Sequence, residues 1–303
     1  MSDVSISKDQ RPPDQRPQDQ NSQDQNPEHQ GAGGRAKLPL PWFTSNSGFT
    51  PDSSVVAEVI PSANYGERRN GREPDMIVLH YTGMADAKRA VAKLTTAGTE
   101  VSSHYVVHED GRIIQCVPEA KRAWHAGASS WAGETDVNSC SIGIEIVNGG
   151  HDFGLPDYPL RQIAAVIALC KGIVIRRKIA PHRVLGHSDV SPGRKQDPGE
   201  KFPWQLLADS GVGQYVRPAG IASGPTMTVG NSGDNVRALQ EALADYGYGV
   251  PVSGIYDFPT VEVVTAFQRH FRPQQVDGIA DVSTVNTLKN LLQSRAIASR
   301  IGS

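Results

Sequence analysis

Residues 76–81 read MIVLHY, an apolar run that ends in a histidine and a tyrosine. A short run of this kind, rich in large and β-branched apolar residues, is typical of a buried strand. Binding and catalytic side chains are commonly placed at strand ends and on the adjoining loops. The run therefore predicts a buried strand that presents His80 at the edge of a sheet.

The segments that follow predict a helix and three more strands. Residues 85–95 predict the helix, and residues 102–118 (SSHYVVHEDGRIIQCVP) carry two β-rich runs joined at Glu109-Asp110-Gly111. Glycine at that point permits the positive φ of a tight hairpin, so these two strands should be antiparallel neighbours. Residues 139–148 (SCSIGIEIVN) predict another strand.

A second helix and one more strand complete this region. Residues 160–176 show helical periodicity, and residues 183–190 (RVLGHSDV) predict a short strand that ends at His187. Strands and helices alternate without a strict βαβ rhythm, which favours a mixed sheet over a doubly wound parallel one. The predicted fold class is α/β (α+β), a mixed central β-sheet flanked by helices. The predicted apolar face of the second helix comprises Ile163, Ile167, Cys170 and Val174.

The C-terminal part of the chain predicts a separate small domain. Residues 211–228 are rich in Gly, Ser and Pro and predict a linker, whereas residues 229–298 contain three amphipathic stretches typical of a three-helix domain. The pattern V-x-G-I-x-D-x-x-T-V begins at Val252 and again at Val276. We expect its Gly to form a turn, its Asp to accept hydrogen bonds from nearby backbone N–H groups, and its Thr to cap a helix.

Length and composition exclude several classes of protein. A chain of 303 residues predicts two folded units plus tails, with residues 1–40 a disordered low-complexity tail and residues 41–210 the larger domain. A net charge of −2 gives no broad basic field, so nucleic acid is not an expected partner. No apolar run approaches the roughly 20 residues of a transmembrane helix, and residues 1–15 lack the pattern of a secretory signal.

The three cysteines, Cys116, Cys140 and Cys170, have neither an even number nor the close spacing of a metal knuckle or redox pair. Each lies among apolar residues, which predicts small buried thiols rather than disulfides or nucleophiles.

Two histidines stand apart from the rest because each ends a predicted strand. His80 and His187 should both emerge at a sheet edge, and Asp197 follows in the loop PGRKQDPGEKFPW, which prolines and glycines shape into a turn. Two imidazoles and one carboxylate, with a fourth position open, form the ligand set of a catalytic zinc site. From the residues alone, Asp189 or His104 could replace one member of this set. The ordinary structural role is expected for His108, His151, His182 and His270.

The strings IVLHYTG, VSSHYVV, AWHAG, SIGIEI, GHSDVSPGRKQDPG and FPW occur in that order. Together they resemble the type-2 N-acetylmuramoyl-L-alanine amidases, a zinc family, over roughly residues 45–210. The segment that opens GDNVRALQ and continues with the repeats resembles a peptidoglycan-binding domain of the three-helix type. In its domain order the chain is similar to the broad-specificity bacterial amidases that accept intact and anhydro-muramyl substrates.

This resemblance implies a function and a set of site residues. It implies one Zn2+ per chain held by His80, His187 and Asp197, so that Asp197 is preferred to Asp189. It implies Glu145 as general base and acid and Lys195 as the cation beside the oxyanion, with peptidoglycan or muropeptide fragments as partner. The implied reaction is hydrolysis of the amide bond between N-acetylmuramic acid, or its anhydro form, and L-alanine in cell-wall turnover or recycling.

Three further residues are predicted to contact the sugar or stem peptide: His104, Trp124 and His125. Two other functions are compatible with the sequence, namely a non-catalytic peptidoglycan-recognition protein and a phage-type endolysin. The two indications of location point to different compartments, because a wall-binding module suggests the periplasm and the missing signal peptide suggests the cytoplasm.

Overall fold

Six strands form one mixed sheet, in which the segment Met76–Tyr81 lies second from one edge, between two parallel neighbours. The computed structural model describes residues 48–301, and the side chains of residues 48–297. The predicted tail, residues 1–40, lies outside the described residues. The strands are β1 (Glu58–Val59), β2 (Tyr65–Glu67), β3 (Met76–Tyr81), β4 (Tyr105–Val107), β5 (Ile113–Gln115), β6 (Lys121–Ala123), β7 (Ser141–Ile146) and β8 (Val184–Gly186).

The order of strands across the main sheet is β1-β5-β4-β7-β3-β8. Only β4 and β5 are antiparallel, as the hairpin predicted at Gly111 requires, and all the other neighbours are parallel. Gly111 has a φ of 87°, the left-handed conformation that glycine adopts without strain. The strands β2 and β6 form a separate antiparallel ribbon. The predicted mixed sheet is therefore confirmed.

Helices pack on this sheet and continue beyond it. The helices are α1 (Ala87–Thr95), α2 (Val137–Cys140), α3 (Leu160–Arg177), α4 (His187–Val190), α5 (Trp204–Asp209), α6 (Asp234–Tyr246), α7 (Phe258–Phe271) and α8 (Val282–Ile301). The last three form the predicted C-terminal three-helix unit, which we call the C-terminal bundle (α6, α7 and α8 with the loops that join them). No helix in residues 48–301 combines the length and the apolar character needed to cross a bilayer.

Three local predictions need correction. The first helix begins at Ala87 rather than at residue 85, because the Asp86 side chain accepts a hydrogen bond from the Arg89 N–H (2.8 Å) and caps it. The buried face of α3 is shifted from the predicted one, since Val166, Leu169 and Ile173 are fully buried whereas the predicted Ile167 and Val174 are half-buried. His187 is the first residue of the short helix α4 rather than the last residue of a strand.

The repeated pattern in the C-terminal bundle forms two similar turns. Gly254 and Gly278 have φ values of 76° and 70°, as expected. The cap is the aspartate rather than the threonine, because Asp257 Oδ1 accepts from the backbone N–H of Thr260 (3.1 Å), which lies inside α7. In the second copy Asp281 Oδ1 likewise accepts from the Thr284 N–H (2.7 Å).

One hydrophobic core runs between the sheet and the C-terminal bundle. Met76 and Leu185 from the strands, Trp131 from a loop, and Tyr248 and Phe267 from the bundle are all buried in one cluster. The described residues, 48–301, accordingly belong to a single compact unit. The three cysteines are buried free thiols, as predicted.

Candidate metal centre and active site

The sheet brings the predicted site residues to one edge. Because β3 and β7 are parallel and in register, His80 lies directly opposite Glu145 on the neighbouring strand. On the other side of β3, the strand β8 ends at Gly186, and His187 follows at once. The carboxyl ends of parallel strands share one edge of a sheet, so these three side chains meet there.

Asp197 reaches the same edge from the loop after α4. The Ser188 N–H donates to the Asp197 carbonyl oxygen (2.9 Å), which closes the loop back onto the helix that begins at His187. The Asp197 carboxylate is almost fully buried, with 6% of the residue exposed. The loop thus delivers a carboxylate to two imidazoles from the sheet.

The three side chains form a tight cluster. Asp197 Oδ2 lies 2.9 Å from His80 Nδ1 and 3.0 Å from His187 Nδ1, and the two Nδ1 atoms are 3.0 Å apart. Within residues 48–297 this is the group whose ligand atoms, all within 4.8 Å of one another, could hold a metal ion. Two imidazoles and a carboxylate at this spacing are a candidate metal site.

The outer nitrogens of both imidazoles have acceptors of their own. His187 Nε2 lies 3.0 Å from the carbonyl oxygen of Ala126, and His80 Nε2 lies 3.0 Å from His125 Nδ1. His125 Nε2 is in turn 3.2 Å from Ser141 Oγ, and the Ser141 hydroxyl donates to the Val137 carbonyl (2.6 Å). With protons on the Nε2 atoms, the Nδ1 lone pairs face Asp197, the arrangement that metal-ligating histidines adopt.

A cleft of about 290 Å³ opens above this cluster. Glu145 and Lys195 line it together with the cluster, and so do Trp124 and His125, two of the three residues predicted to contact substrate. His104 does not: it is fully buried, its Nδ1 accepts from the Gly143 N–H (3.0 Å), and its Nε2 lies 3.0 Å from the Lys121 carbonyl. Its place is behind the cleft wall, where it supports β7.

Glu145 lies in an environment that favours its neutral form. Burial, and after it the negative charge of Asp197, raise the pKa of the Glu145 carboxyl to about 8, although Lys195 and Lys93 act in the opposite direction. Its Oε2 atom is buried without a hydrogen-bond partner among the described residues. A cleft carboxyl with a raised pKa and a free oxygen is suited to proton transfer.

Lys195 is placed by a turn that is anchored to the AWHAG segment. Its backbone N–H donates to the Ser191 carbonyl (3.1 Å), and the neighbouring Arg194 guanidinium donates to the Ala126 and Ala128 carbonyls (2.5 and 2.8 Å). The same Ala126 carbonyl faces His187 Nε2. One short segment therefore supports both a cluster histidine and the turn that carries the cleft lysine.

Asp189, the alternative ligand considered from the sequence, points away from the cluster. Its carboxylate contacts His270 and Tyr248 of the C-terminal bundle. Ser141 and Gly143 belong to the SIGIEI string but were not predicted as site residues. A Cβ at Gly143 would lie 2.5 Å from His125 Cγ, so this glycine makes room for the ring that supports His80. Neither residue carries a signal of its own in the sequence, since both depend on the strand neighbours.

Comparison with known proteins agrees with this fold. The model of the N-acetylmuramoyl-L-alanine amidase family matches residues 70–200, and the model of a peptidoglycan binding domain matches residues 232–288. The chain belongs to the N-acetylmuramoyl-L-alanine amidase family. The predictions of an enzyme of this class and of a C-terminal peptidoglycan-binding module are confirmed.

Individual relatives extend over most of the chain. N-acetylmuramoyl-L-alanine amidase AmiD of Escherichia coli (strain K12) is 38% identical over 231 residues, 72% of this chain and 82% of the relative. The structure of AmiD from Escherichia coli with anhydro-N-acetylmuramic acid-L-Ala-D-gamma-Glu-L-Lys aligns with a TM-score of 0.64 at 37% identity, covering 75% of this chain and 91% of AmiD. The structure of AMPDH3 from Pseudomonas aeruginosa with anhydromuramic pentapeptide aligns with a TM-score of 0.61 at 34% identity. The alignment covers 75% of this chain and 94% of AMPDH3.

Proposed function

We propose that His80, His187 and Asp197 hold one Zn2+ and that the chain hydrolyses the amide bond between N-acetylmuramic acid, or its anhydro form, and L-alanine. The observation that carries this proposal is the direction of the ring nitrogens. Both Nδ1 atoms and the carboxylate face one point at the base of the cleft, while the Nε2 atoms contact His125 and the Ala126 carbonyl. Two nitrogens and one oxygen with an open side suit catalytic zinc.

When bound, zinc supplies Lewis-acid chemistry, lowering the pKa of water toward neutrality and polarising a carbonyl. The remaining steps fall to side chains of the cleft. We assign Glu145 the transfer of a proton from the attacking water to the departing L-alanine amine, which is a poor leaving group until it is protonated. A cation on Asp197 would offset the negative charge that, after burial, raises the pKa of Glu145, which favours the ionised carboxylate that can accept that proton.

We assign Lys195 the stabilisation of the negative oxygen that forms when water adds to the amide carbonyl. Its ammonium group lines the same cleft as Glu145 and the metal cluster, and the anchored turn at Ser191 fixes its backbone. A positioned cation at a developing oxyanion typically contributes about a hundredfold or more in rate.

The substrate assignment rests on the relatives and on the second module. AmiD and AMPDH3 are described in complex with anhydro-muropeptides. The cleft wall of this chain carries the aromatic face of Trp124 and the imidazole of His125, which we assign to contacts with the sugar or stem peptide. We further propose the domain boundaries 41–210 for the amidase, 211–228 for the linker and 229–298 for the peptidoglycan-binding module, with a role in wall turnover or recycling.

The test is release of free stem peptide from a purified anhydro-muropeptide, followed by chromatography. The wild-type chain should release peptide, lose the activity on chelation, and regain it with stoichiometric zinc. Glu145→Gln should retain zinc and lose activity by about 100- to 10,000-fold, the usual contribution of general acid–base catalysis. The matched control is Glu241→Gln, on the exposed surface of α6, which should leave the rate unchanged. A wild-type chain that binds muropeptide without cleaving it would contradict the proposal and indicate a recognition protein.

A further inference from the structure

Asp189 is a fully buried carboxylate between the amidase domain and the C-terminal bundle. Its Oδ2 accepts from the Gly186 N–H (2.7 Å) and lies 2.7 Å from His270 Nδ1. Its Oδ1 accepts from the hydroxyl of Tyr248 (2.7 Å). Two of these three partners come from the C-terminal bundle, and a buried charge depends on such partners for its stability.

The backbone that Asp189 holds is the backbone of the metal centre. Gly186, whose N–H donates to Asp189, directly precedes His187, and Ser188 donates to the carbonyl of Asp197. A Cβ at Gly186 would lie 2.8 Å from Pro198 Cδ, so the chain on either side of the cluster is closely packed. The segment 186–189 therefore connects two cluster residues to one carboxylate.

The two bundle residues are themselves held rigidly. The His270 ring stacks on Trp204 with a centroid distance of 3.7 Å and an angle of 22°. The Tyr248 ring packs edge-on against Trp131 at 4.9 Å. Both aromatic partners lie in the amidase domain and are buried, so the contact is part of the interior and not a surface touch between tethered modules.

We propose that the C-terminal bundle is part of the scaffold of the metal centre, with Tyr248 and His270 as positioning residues that hold Asp189 and thereby the backbone carrying His187. This inference rests on the proposed zinc site. Side chains that orient metal ligands typically contribute about 10- to 100-fold to metal affinity or activity. The bundle thus has a role in catalysis that is separate from binding the wall polymer.

The full chain contains a matched pair of variants for the test. Tyr248→Phe removes the hydroxyl that donates to Asp189, whereas Tyr256→Phe removes an equally buried hydroxyl of the bundle that donates to the Gly278 carbonyl (2.8 Å). Zinc affinity is measured by competition with a chromophoric chelator, and kcat and KM with a soluble anhydro-muropeptide. Tyr248→Phe should weaken zinc binding and lower kcat about tenfold with little change in KM, and Tyr256→Phe should match the wild type. Equal zinc affinity in the two variants would overturn the inference.

Two further measurements guard against a variant that simply fails to fold. His270→Phe keeps an aromatic ring but loses the donor, whereas His270→Asn restores a donor near the position of Nδ1, so zinc affinity should fall in the first and recover in the second. In the wild-type chain, coupling must be reciprocal, so zinc should slow amide hydrogen exchange at residues 246–250 and in α7. Equal amide exchange rates in these segments with and without zinc would contradict the inference. Zinc binding and peptide release by the wild type report on the proposed function separately.

Discussion

Two buried groups of imidazole and carboxylate lie on opposite sides of the short segment 187–197, and they differ in where their protons go. Around Asp197, the outer nitrogens of His80 and His187 have acceptors elsewhere, which leaves lone pairs and a carboxylate facing one another. Around Asp189, three donors converge on the carboxylate. With protons on the Nε2 atoms the first group is suited to a cation, whereas the second is satisfied without one.

This difference shows that residue type does not identify a metal site. Both groups are buried, and both pair an aspartate with histidine at about 3 Å. What separates them is the cleft above Asp197 and the hydroxyl and backbone donors around Asp189. The direction of each proton therefore decides the chemistry of the group.

Replacing either aspartate should produce the largest effects, and the two replacements test the difference between the two groups. Asp197→Ala should lose stoichiometric zinc and lower kcat/KM on the order of a thousandfold or more, because removing a ligand costs more than removing its support. Metal analysis and peptide release measure both. Asp157→Ala, at an exposed carboxylate that pairs with Lys201, is the control and should retain zinc and activity.

Asp189→Ala should keep all three proposed zinc ligands, but it should lower stability and weaken zinc binding at least as much as Tyr248→Phe does. Losing this carboxylate leaves the Gly186 N–H, the Tyr248 hydroxyl and His270 Nδ1 buried without their partner, a change that typically costs about 3–5 kcal/mol. Urea unfolding of the metal-free protein measures it. If Asp189→Ala lost all zinc while Asp197→Ala retained it, the roles assigned to the two groups would be reversed.

The sequence predicted features that depend on neighbouring residues, and it did not predict features that depend on contacts between distant segments. The strand at Met76–Tyr81 and the hairpin at Gly111 follow from a few neighbouring residues, and the structure confirms both. The opposition of His80 and Glu145 depends on β7 pairing with β3, a long-range choice that no local pattern encodes. The partners of Asp189 lie 59 and 81 residues away, so its role was not predictable from the loop around it.

The family resemblance supplied what the residues alone left undecided. His80 and His187 stood out as strand-end histidines, but nothing local distinguished Asp197 from Asp189 as the third member. In the structure Asp189 lies inside α4 and faces the bundle, whereas the turn after α4 directs Asp197 to the cleft. Such a turn is set by tertiary packing, including the close approach of Gly186 to Pro198.

A smaller effect concerns the pH dependence of stability near the cleft. Burial, and after it the positive charge of Arg68, lower the pKa of His104 to about 3 in the folded chain, below its unfolded value of about 6.5. Between these values only the unfolded chain binds the proton, so stability is fully present above pH 6.5 and is lost as the pH falls. Protonation of His104 in the unfolded chain lowers the free energy of unfolding by up to about 1.4 kcal/mol for each pH unit.

The measurement is urea unfolding of the metal-free protein between pH 4 and 7. Subtracting the profile of His104→Gln from that of the wild type isolates this group from the imidazoles of both aspartate clusters, which the two proteins share. His182→Gln is the control, because burial lowers the pKa of this half-buried histidine too, but its difference profile should be shallower. A flat difference for His104 would show that its ring is protonated in the folded chain.

The smallest effect tests a second route between the bundle and the cleft. Tyr81, beside His80 at the cleft, has its hydroxyl 3.0 Å from His151 Nδ1; His151 Nε2 is 3.0 Å from Glu200, and Glu200 is 3.7 Å from Arg269 of the bundle. Glu200 is partly exposed, and an ion pair in such a place typically contributes no more than about 1 kcal/mol.

Glu200→Gln keeps the side-chain shape and a hydrogen-bonding oxygen while removing the charge. We expect the free energy of unfolding to stay within about 1 kcal/mol of the wild-type value. We expect kcat/KM to stay within about threefold of its wild-type value, a difference of under about 1 kcal/mol in the activation free energy. A tenfold loss of kcat with unchanged zinc affinity would show that the bundle acts on the cleft through Tyr81, and the contrast between the two aspartates would then explain metal binding but not turnover.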